Sequence, residues 1–217
     1  MYRRKLGKSK VNNIHRFVSH KNASTILTES TLEFHGCYPL EYDYDVISFE
    51  SQPEGYEYIY ENKVHRYTPD YLSRMKNGQE PYIEVKPSRI AKRKDFLDRF
   101  YCMQEAARKS GRDLLLWTED HIRKQPYLDN LQILHKYRTP DAITAQHRKV
   151  LATASSYSNE EISIHELACS SGIEISQSLS VIFDLIARNL LASELSDTAL
   201  TKKTLVGINH DYCSKIY

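Results

Sequence analysis

Apolar and polar positions change their period several times along this chain of 217 residues, and each change marks an element. Residues 1–22 are polar and basic with no sustained apolar period, which predicts an arm ahead of a folded part beginning near Ser24. Residues 28–37 read as a short helix ended by Gly36 and Pro39. Residues 46–52 and 56–60 alternate and are rich in β-formers, with breaks at Pro53-Glu54-Gly55 and Glu61-Asn62-Lys63, so both predict strands. Two more strands are expected over residues 64–72 and 82–86, joined as a hairpin. After Pro87 the period becomes helical. Phe96, Phe100, Met103 and Ala107 form a buried stripe that stops before Ser110-Gly111. The apolar run of residues 114–118 predicts a strand buried on both faces. Residues 136–141 read as a linker broken at Thr139-Pro140. Beyond it, residues 162–168, the Ser170-Ser171-Gly172 turn and residues 176–191 have helix-turn-helix spacing. Leu179, Phe183 and Ile186 supply a core stripe there, and residues 191–208 could form a wing.

The expected class is therefore α/β. A basic arm (1–22) precedes a mixed sheet flanked by helices (23–138), and a winged-helix-like α+β module follows (141–217). The second helix of that module has almost no Lys or Arg, which favours a protein partner over strong DNA contact.

A hydrophobic content of 41% with 27% charged residues suits a globular chain and argues against a disordered one. No apolar stretch approaches membrane-spanning length, and the start lacks the apolar region of a signal peptide, so a cytoplasmic protein is expected. The cysteines (37, 102, 169 and 213) show no Cys-x-x-Cys spacing and the histidines no His-x-x-x-His spacing. Reduced thiols are expected, without a zinc site. A net charge of +2 argues against a general polyanion-coating protein but says nothing about local patches. The basic residues are nevertheless unevenly placed. No acidic residue precedes Glu29, whereas Arg3, Arg4 and Lys5 open a basic run suited to phosphate contact. Arg89, Lys92, Arg93 and Lys94 crowd the start of the helix after Pro87, where cations oppose the helix dipole and a DNA phosphate would relieve them. For each basic group the competing reading is a solvated surface.

Candidate chemistry centres on Thr68-Pro69-Asp70-Tyr71-Leu72 and Ile83-Glu84-Val85-Lys86-Pro87. Glu84 and Lys86 share one strand face because residues two apart point the same way. A two-residue Asn77-Gly78 turn would set Asp70 opposite Val85. A three-residue loop, Lys76-Asn77-Gly78 with Gly78 left-handed, instead sets Asp70 opposite Glu84 and Arg74 opposite Glu80 as an ion pair. The second register builds a site. Two adjacent carboxylates repel unless a cation lies between them, and hard oxygens suit Mg²⁺ or Mn²⁺. Lys86 cannot ligate a metal, but it can orient a water or offset charge developing on phosphoryl oxygens. Glu-Val-Lys alone would be an ordinary surface hairpin. Combined with Pro-Asp and the loop length, it points to metal-dependent phosphodiester hydrolysis.

These residues resemble the TnsA family of transposon-end endonucleases, whose catalytic domain is similar to that of type II restriction enzymes. The resemblance is carried by Ser30-Thr31-Leu32-Glu33, Leu40-Glu41-Tyr42-Asp43, Glu50-Ser51-Gln52-Pro53, Thr68-Pro69-Asp70-Tyr71-Leu72 and Glu84-Val85-Lys86-Pro87, and it spans most of the chain. It implies Glu33 as the first acidic site residue and Asp70 as the shared metal ligand. Glu84 is a further ligand position, with the Val85 carbonyl beside it, and Lys86 is the catalytic lysine. Family members can carry Gln where Glu84 stands. From spacing alone, Glu33 equally fits a helix capping box with Ser30. The resemblance also implies a Mg²⁺-dependent enzyme cutting the 5′ ends of a cut-and-paste transposon in double-stranded DNA. A separate DDE transposase and an AAA+ ATPase regulator would be its partners. The length is similar to that of TnsA proteins from CRISPR-associated transposons. Two rival classes are a stand-alone restriction or repair endonuclease and a non-enzymatic winged-helix DNA-binding adaptor.

Overall fold

The computed structural model describes residues 14–157 and 160–209, which excludes Arg3, Arg4 and Lys5. Its contacts divide the chain into two units, residues 1–124 and 125–217.

The first unit opens with an antiparallel ribbon of β1 (His15–Ser19) and β2 (Ser24–Thr28), part of which falls in the stretch expected to be an arm. Phe17 and Ile26, facing each other in the register, are its buried apolar anchors. One such residue per strand is too sparse a signal for a periodicity reading. Helix α1 (Thr31–Tyr42) starts on the Ser30 cap and runs through both Gly36 and Pro39 instead of stopping there. An interior proline costs about 3 kcal/mol, here offset by burial of Leu32, Cys37, Tyr38 and Leu40. Gly36 faces Ile122 and Tyr71, where a Cβ would make ordinary contacts at 3.6 and 3.8 Å.

Next come β3 (Val46–Ser51), β4 (Tyr56–Tyr60), β5 (Lys63–Tyr67), β6 (Tyr71–Met75) and β7 (Tyr82–Val85). Helices α2 (Ser88–Ala91) and α3 (Lys94–Lys109), strand β8 (Leu114–Trp117) and helix α4 (Glu119–Ile122) complete the unit. The strand expected over 64–72 is in fact two. Thr68-Pro69-Asp70 interrupts it, because Pro69 has no N–H to continue a ladder. Before the break β5 pairs with β4 in a separate ribbon, and after it β6 enters the main sheet.

That sheet has the order β3-β6-β7-β8 and is mixed: β6 is antiparallel to both β3 and β7, while β7 and β8 are parallel. The parallel pair requires a crossover, which α2 and α3 provide. Phe100, Met103 and Ala107 of α3 are buried against Tyr58, Leu72, Tyr82 and Leu114, with Phe96 packed beside them, so the expected stripe is present. Strand β8 is not buried on both faces. It is the sheet edge, and Leu115 is 42% exposed.

The second unit contains α5 (Tyr127–Tyr137), α6 (Ala145–Ser155), β9 (Ile162–Ser163), α7 (Ile164–Ser170), α8 (Ile175–Ala187), β10 (Leu191–Ala192) and β11 (Leu205–Ile208). Its strands form a small antiparallel sheet in the order β10-β11-β9. Helix α5 belongs here. Buried Asn130 donates to Leu195 O (2.8 Å) and Thr198 O (2.7 Å) and accepts from Leu200 N (2.7 Å). The division therefore falls before Gln125 and not at Thr139-Pro140. The buried residues of α8 are Ser178, Val181, Ile182, Asp184, Leu185 and Ile186, whereas Leu179 and Phe183 are only half-buried. Cys37 is buried, Cys102 half-buried and Cys169 exposed, all as free thiols. Among the described residues, no helix is long and apolar enough to cross a membrane.

Candidate active site

The β6–β7 hairpin has the expected register. Tyr71 pairs with Ile83 and Leu72 with Tyr82, while Met75 N donates to Gln79 O at 2.9 Å across the loop. Gly78 is left-handed (φ 84°), and Arg74 Nε meets Glu80 Oε1 at 3.2 Å. One residue beyond the ladder, Asp70 therefore comes level with Glu84. Its Oδ2 accepts from Val85 N at 2.7 Å, and its main-chain carbonyl accepts from Gln52 N at 2.9 Å. Gly55 permits this path. A Cβ there would lie 2.3 Å from Tyr67 O and 2.8 Å from Thr68 Oγ1, so any side chain would push apart the segment that delivers Asp70.

Lys86 Nζ lies 2.6 Å from Glu84 Oε1, 3.7 Å from Asp70 Oδ2 and 3.2 Å from Val85 O. Strand β7 is buried throughout, with Glu84 only 4% exposed. Just past the lysine, Ser88 N donates to Glu119 Oε2 (2.7 Å) and Ser88 Oγ to Asp120 Oδ2 (3.1 Å), which anchors the exit of the strand to α4. A phenol completes the cluster. Tyr67 Oη donates to Glu84 Oε2 at 2.5 Å. Nothing in the local sequence marks Tyr67, because its role depends on how β5 folds against β7. The alternating aromatic face of Tyr56, Tyr58, Tyr60, His65 and Tyr67 was its only trace.

Burial and the neighbouring Glu84 carboxylate push the Asp70 carboxyl up to about 7, despite opposing contributions from Lys86 and the Val85 N–H. Burial acts to lower the Lys86 ammonium, but Asp70 and Glu84 outweigh it and raise its pKa. Burial and Glu84 hold the Tyr67 phenol well above its ordinary range, so it remains a donor. Two carboxylates thus share one ammonium in a low-dielectric setting, an arrangement short of positive charge.

Glu33 is both a cap and a neighbour of the site. Its Oε1 accepts from Ser30 Oγ (2.7 Å) and its Oε2 from Glu29 N (2.9 Å). Burial first, and then Asp70, raise its pKa. Tyr71 Oη donates to Glu33 O at 2.7 Å, tying this turn of α1 to the start of β6.

Among the described residues, no group of three or more His, Cys, Asp and Glu could hold an ion. The donors at the hairpin are instead two carboxylates and the Val85 carbonyl. Their hard oxygens and deficit of positive charge fit a divalent cation such as Mg²⁺. Of the expected phosphate contacts, Arg89 and Lys92 are exposed and form no ion pair among the described residues. Arg93 pairs with Asp95 (2.8 Å) and Lys94 with Asp98 (2.7 Å).

No curated protein sequence matches the chain. Residues 43–119 match the family model for the TnsA-like endonuclease N-terminal domain, a span that includes Asp70, Glu84, Lys86 and the Arg89–Lys94 cluster and begins after Glu33. That segment is similar to the TnsA-like endonuclease N-terminal domain, and the match supports a transposon-related nuclease.

Proposed function

We propose that this protein is a metal-dependent DNA endonuclease that cuts the 5′ ends of a heteromeric cut-and-paste transposon, alongside a DDE transposase and an AAA+ ATPase. The observation that carries the reading is the convergence of Asp70, Glu84 and Lys86 on one hairpin end inside the TnsA-like segment. Asp70, Glu84 and the Val85 carbonyl would hold Mg²⁺ or Mn²⁺, with Glu33 as a further acidic residue beside them. When bound, the cation would activate water and stabilise the leaving oxygen.

The chain's own groups have distinct tasks. Asp70, fixed by the Val85 N–H, presents its carboxylate at the mouth of the hairpin. Lys86 is kept protonated by its carboxylate neighbours, so it serves as a donor that orients the attacking water or offsets charge on phosphoryl oxygens, and not as a base. Arg89 and Lys92, exposed in and just after α2, which follows β7, would hold DNA phosphates.

In the second unit, the order of α6, β9, α7, α8, β10 and β11 supports a winged-helix reading. The exposed positions of α8 include Ile175, Ser176, Gln177 and Ser180, and the helix contains neither Lys nor Arg. That favours docking to the partner ATPase over tight DNA contact.

The test is Asp70→Ala in a reaction reconstituted with transposon-end DNA, the two partners and Mg²⁺. Strand cleavage at the 5′ ends should fall by about 10²-fold or more while the variant stays folded. Full cleavage by the folded variant would refute the assignment.

A further inference from the structure

We propose that Tyr67 is a positioning residue of this nuclease site: its phenol fixes the Glu84 carboxylate and, through it, the Lys86 ammonium. The inference rests on the endonuclease reading for its catalytic consequence, but not for its geometry.

The two oxygens of Glu84 are held by different donors. Oε2 accepts from Tyr67 Oη at 2.5 Å and Oε1 from Lys86 Nζ at 2.6 Å. Two donors on opposite oxygens fix the carboxylate plane, where either alone would leave it free to rotate. Glu84 is 4% exposed, so solvent has little access with which to replace a missing donor. Lys86 has a flexible four-carbon stem, and its placement depends on what its ammonium rests against. Glu84 is the nearest of its acceptors, since Val85 O and Asp70 Oδ2 stand at 3.2 and 3.7 Å.

Tyr67 is itself held rigidly. Its ring meets Tyr56 edge-on, with centroids 5.3 Å apart and planes at 80°, and meets Tyr58 at 6.3 Å and 88°. Tyr56 is pinned in turn, because its hydroxyl donates to Met103 O of α3 at 3.0 Å. Tyr56 and Tyr67 also pair across the β4–β5 ribbon. A continuous path of contacts thus runs from α3 through Tyr56, Tyr67 and Glu84 to Lys86. The ribbon lies outside the main sheet and acts as a brace behind the hairpin.

Tyr67→Phe keeps the ring and its packing and removes only the hydroxyl. In metal-free, lysine-¹⁵N-labelled full-length protein, the Lys86 ammonium cross-peak, assigned by its loss in Lys86→Ala, should broaden or shift in Tyr67→Phe. In the reconstituted cleavage reaction, the same variant should lose about tenfold in kcat while its DNA Kd stays within about twofold of the parent. A second measurement keeps Tyr67 in place: the parent should show a downfield phenol proton that moves upfield in Glu84→Gln. An unchanged Lys86 signal in Tyr67→Phe, or the absence of that downfield proton, overturns the proposal. Should the parent protein cut no DNA with its partners, the endonuclease reading falls, and the two spectroscopic signals still decide whether Tyr67 positions Glu84.

Discussion

Two buried acidic centres, one in each unit, solve the same electrostatic problem in opposite ways. In the second unit Asp184, with its side chain 2% exposed, is a single carboxylate ringed by donors. Arg188 Nε lies at 2.7 Å, His147 Nε2 at 2.9 Å, Thr139 N at 3.0 Å and Arg138 Nη1 at 3.7 Å. Arg188 also donates to Thr139 O and Asp141 O, so the cluster fastens residues 138–141 to α8. In the first unit Asp70 and Glu84 share one ammonium, with the Glu33 carboxyl coupled to both Asp70 and Lys86. A carboxylate with a surplus of donors locks structure, whereas carboxylates with a deficit cost stability and hold a place for a cation. The contrast favours the hairpin over the more deeply buried Asp184 as the candidate site proposed above.

The largest effect should come from removing the surplus side of this comparison. Asp184→Ala leaves two guanidiniums and an imidazole without their common acceptor and should cost about 3–5 kcal/mol in urea unfolding. Asp70→Asn in the metal-free protein should instead be neutral or stabilising, because it relieves repulsion with Glu84. The reverse order of the two effects would dissolve the distinction between lock and site.

The pH dependence of stability sharpens the same point. The folded Asp70 carboxyl, at about 7, lies above its unfolded value of about 4. The folded state therefore binds the proton more tightly between those values, and the contribution of this group to stability falls as pH rises through the window. Below about 4 both states are protonated and there is no cost; above about 7 the cost is complete and constant. Metal-free protein followed from pH 4 to 8 should show this loss, and Asp70→Asn should remove its share. A parent and variant with parallel pH profiles would contradict it.

Much of the β6–β7 hairpin was legible because its signals are local. The loop composition, the left-handed Gly78 and the Arg74–Glu80 pair fixed one register, and that register alone brings Asp70 level with Glu84. The elements that were misread depend on distant partners. Helix α1 passes Gly36 and Pro39 because its buried face outweighs two local breakers, and β1 and β2 are held by one apolar residue each. The role of Tyr67 was hidden for the same reason, with only an alternating aromatic face to mark it. Its hydroxyl reaches Glu84 only after Pro69 has broken the strand and sent β5 into its own ribbon. Assignment of α5 to the second unit likewise required the contacts of Asn130 with residues about seventy positions away.

The smallest effects should arise on the basic cluster. Arg89→Ala and Lys92→Ala should each weaken DNA binding across sequences and lower the salt slope by about one. Arg93→Ala and Lys94→Ala should do less, since these cations already face Asp95 and Asp98. Binding isotherms at several salt concentrations check this, and equal effects at all four positions would mean that the ion pairs open on DNA.

The central claim is that Lys86 and its two carboxylates cut the strand that the separate transposase leaves intact. The most direct measurement is the ratio of product classes in a transposition reaction run with Lys86→Ala protein, both partners and Mg²⁺. The 3′-strand reactions should continue and the 5′ ends should stay joined to donor DNA, so replication should turn the products from simple insertions into cointegrates. Predominant simple insertions from a folded, DNA-binding Lys86→Ala protein would contradict the account.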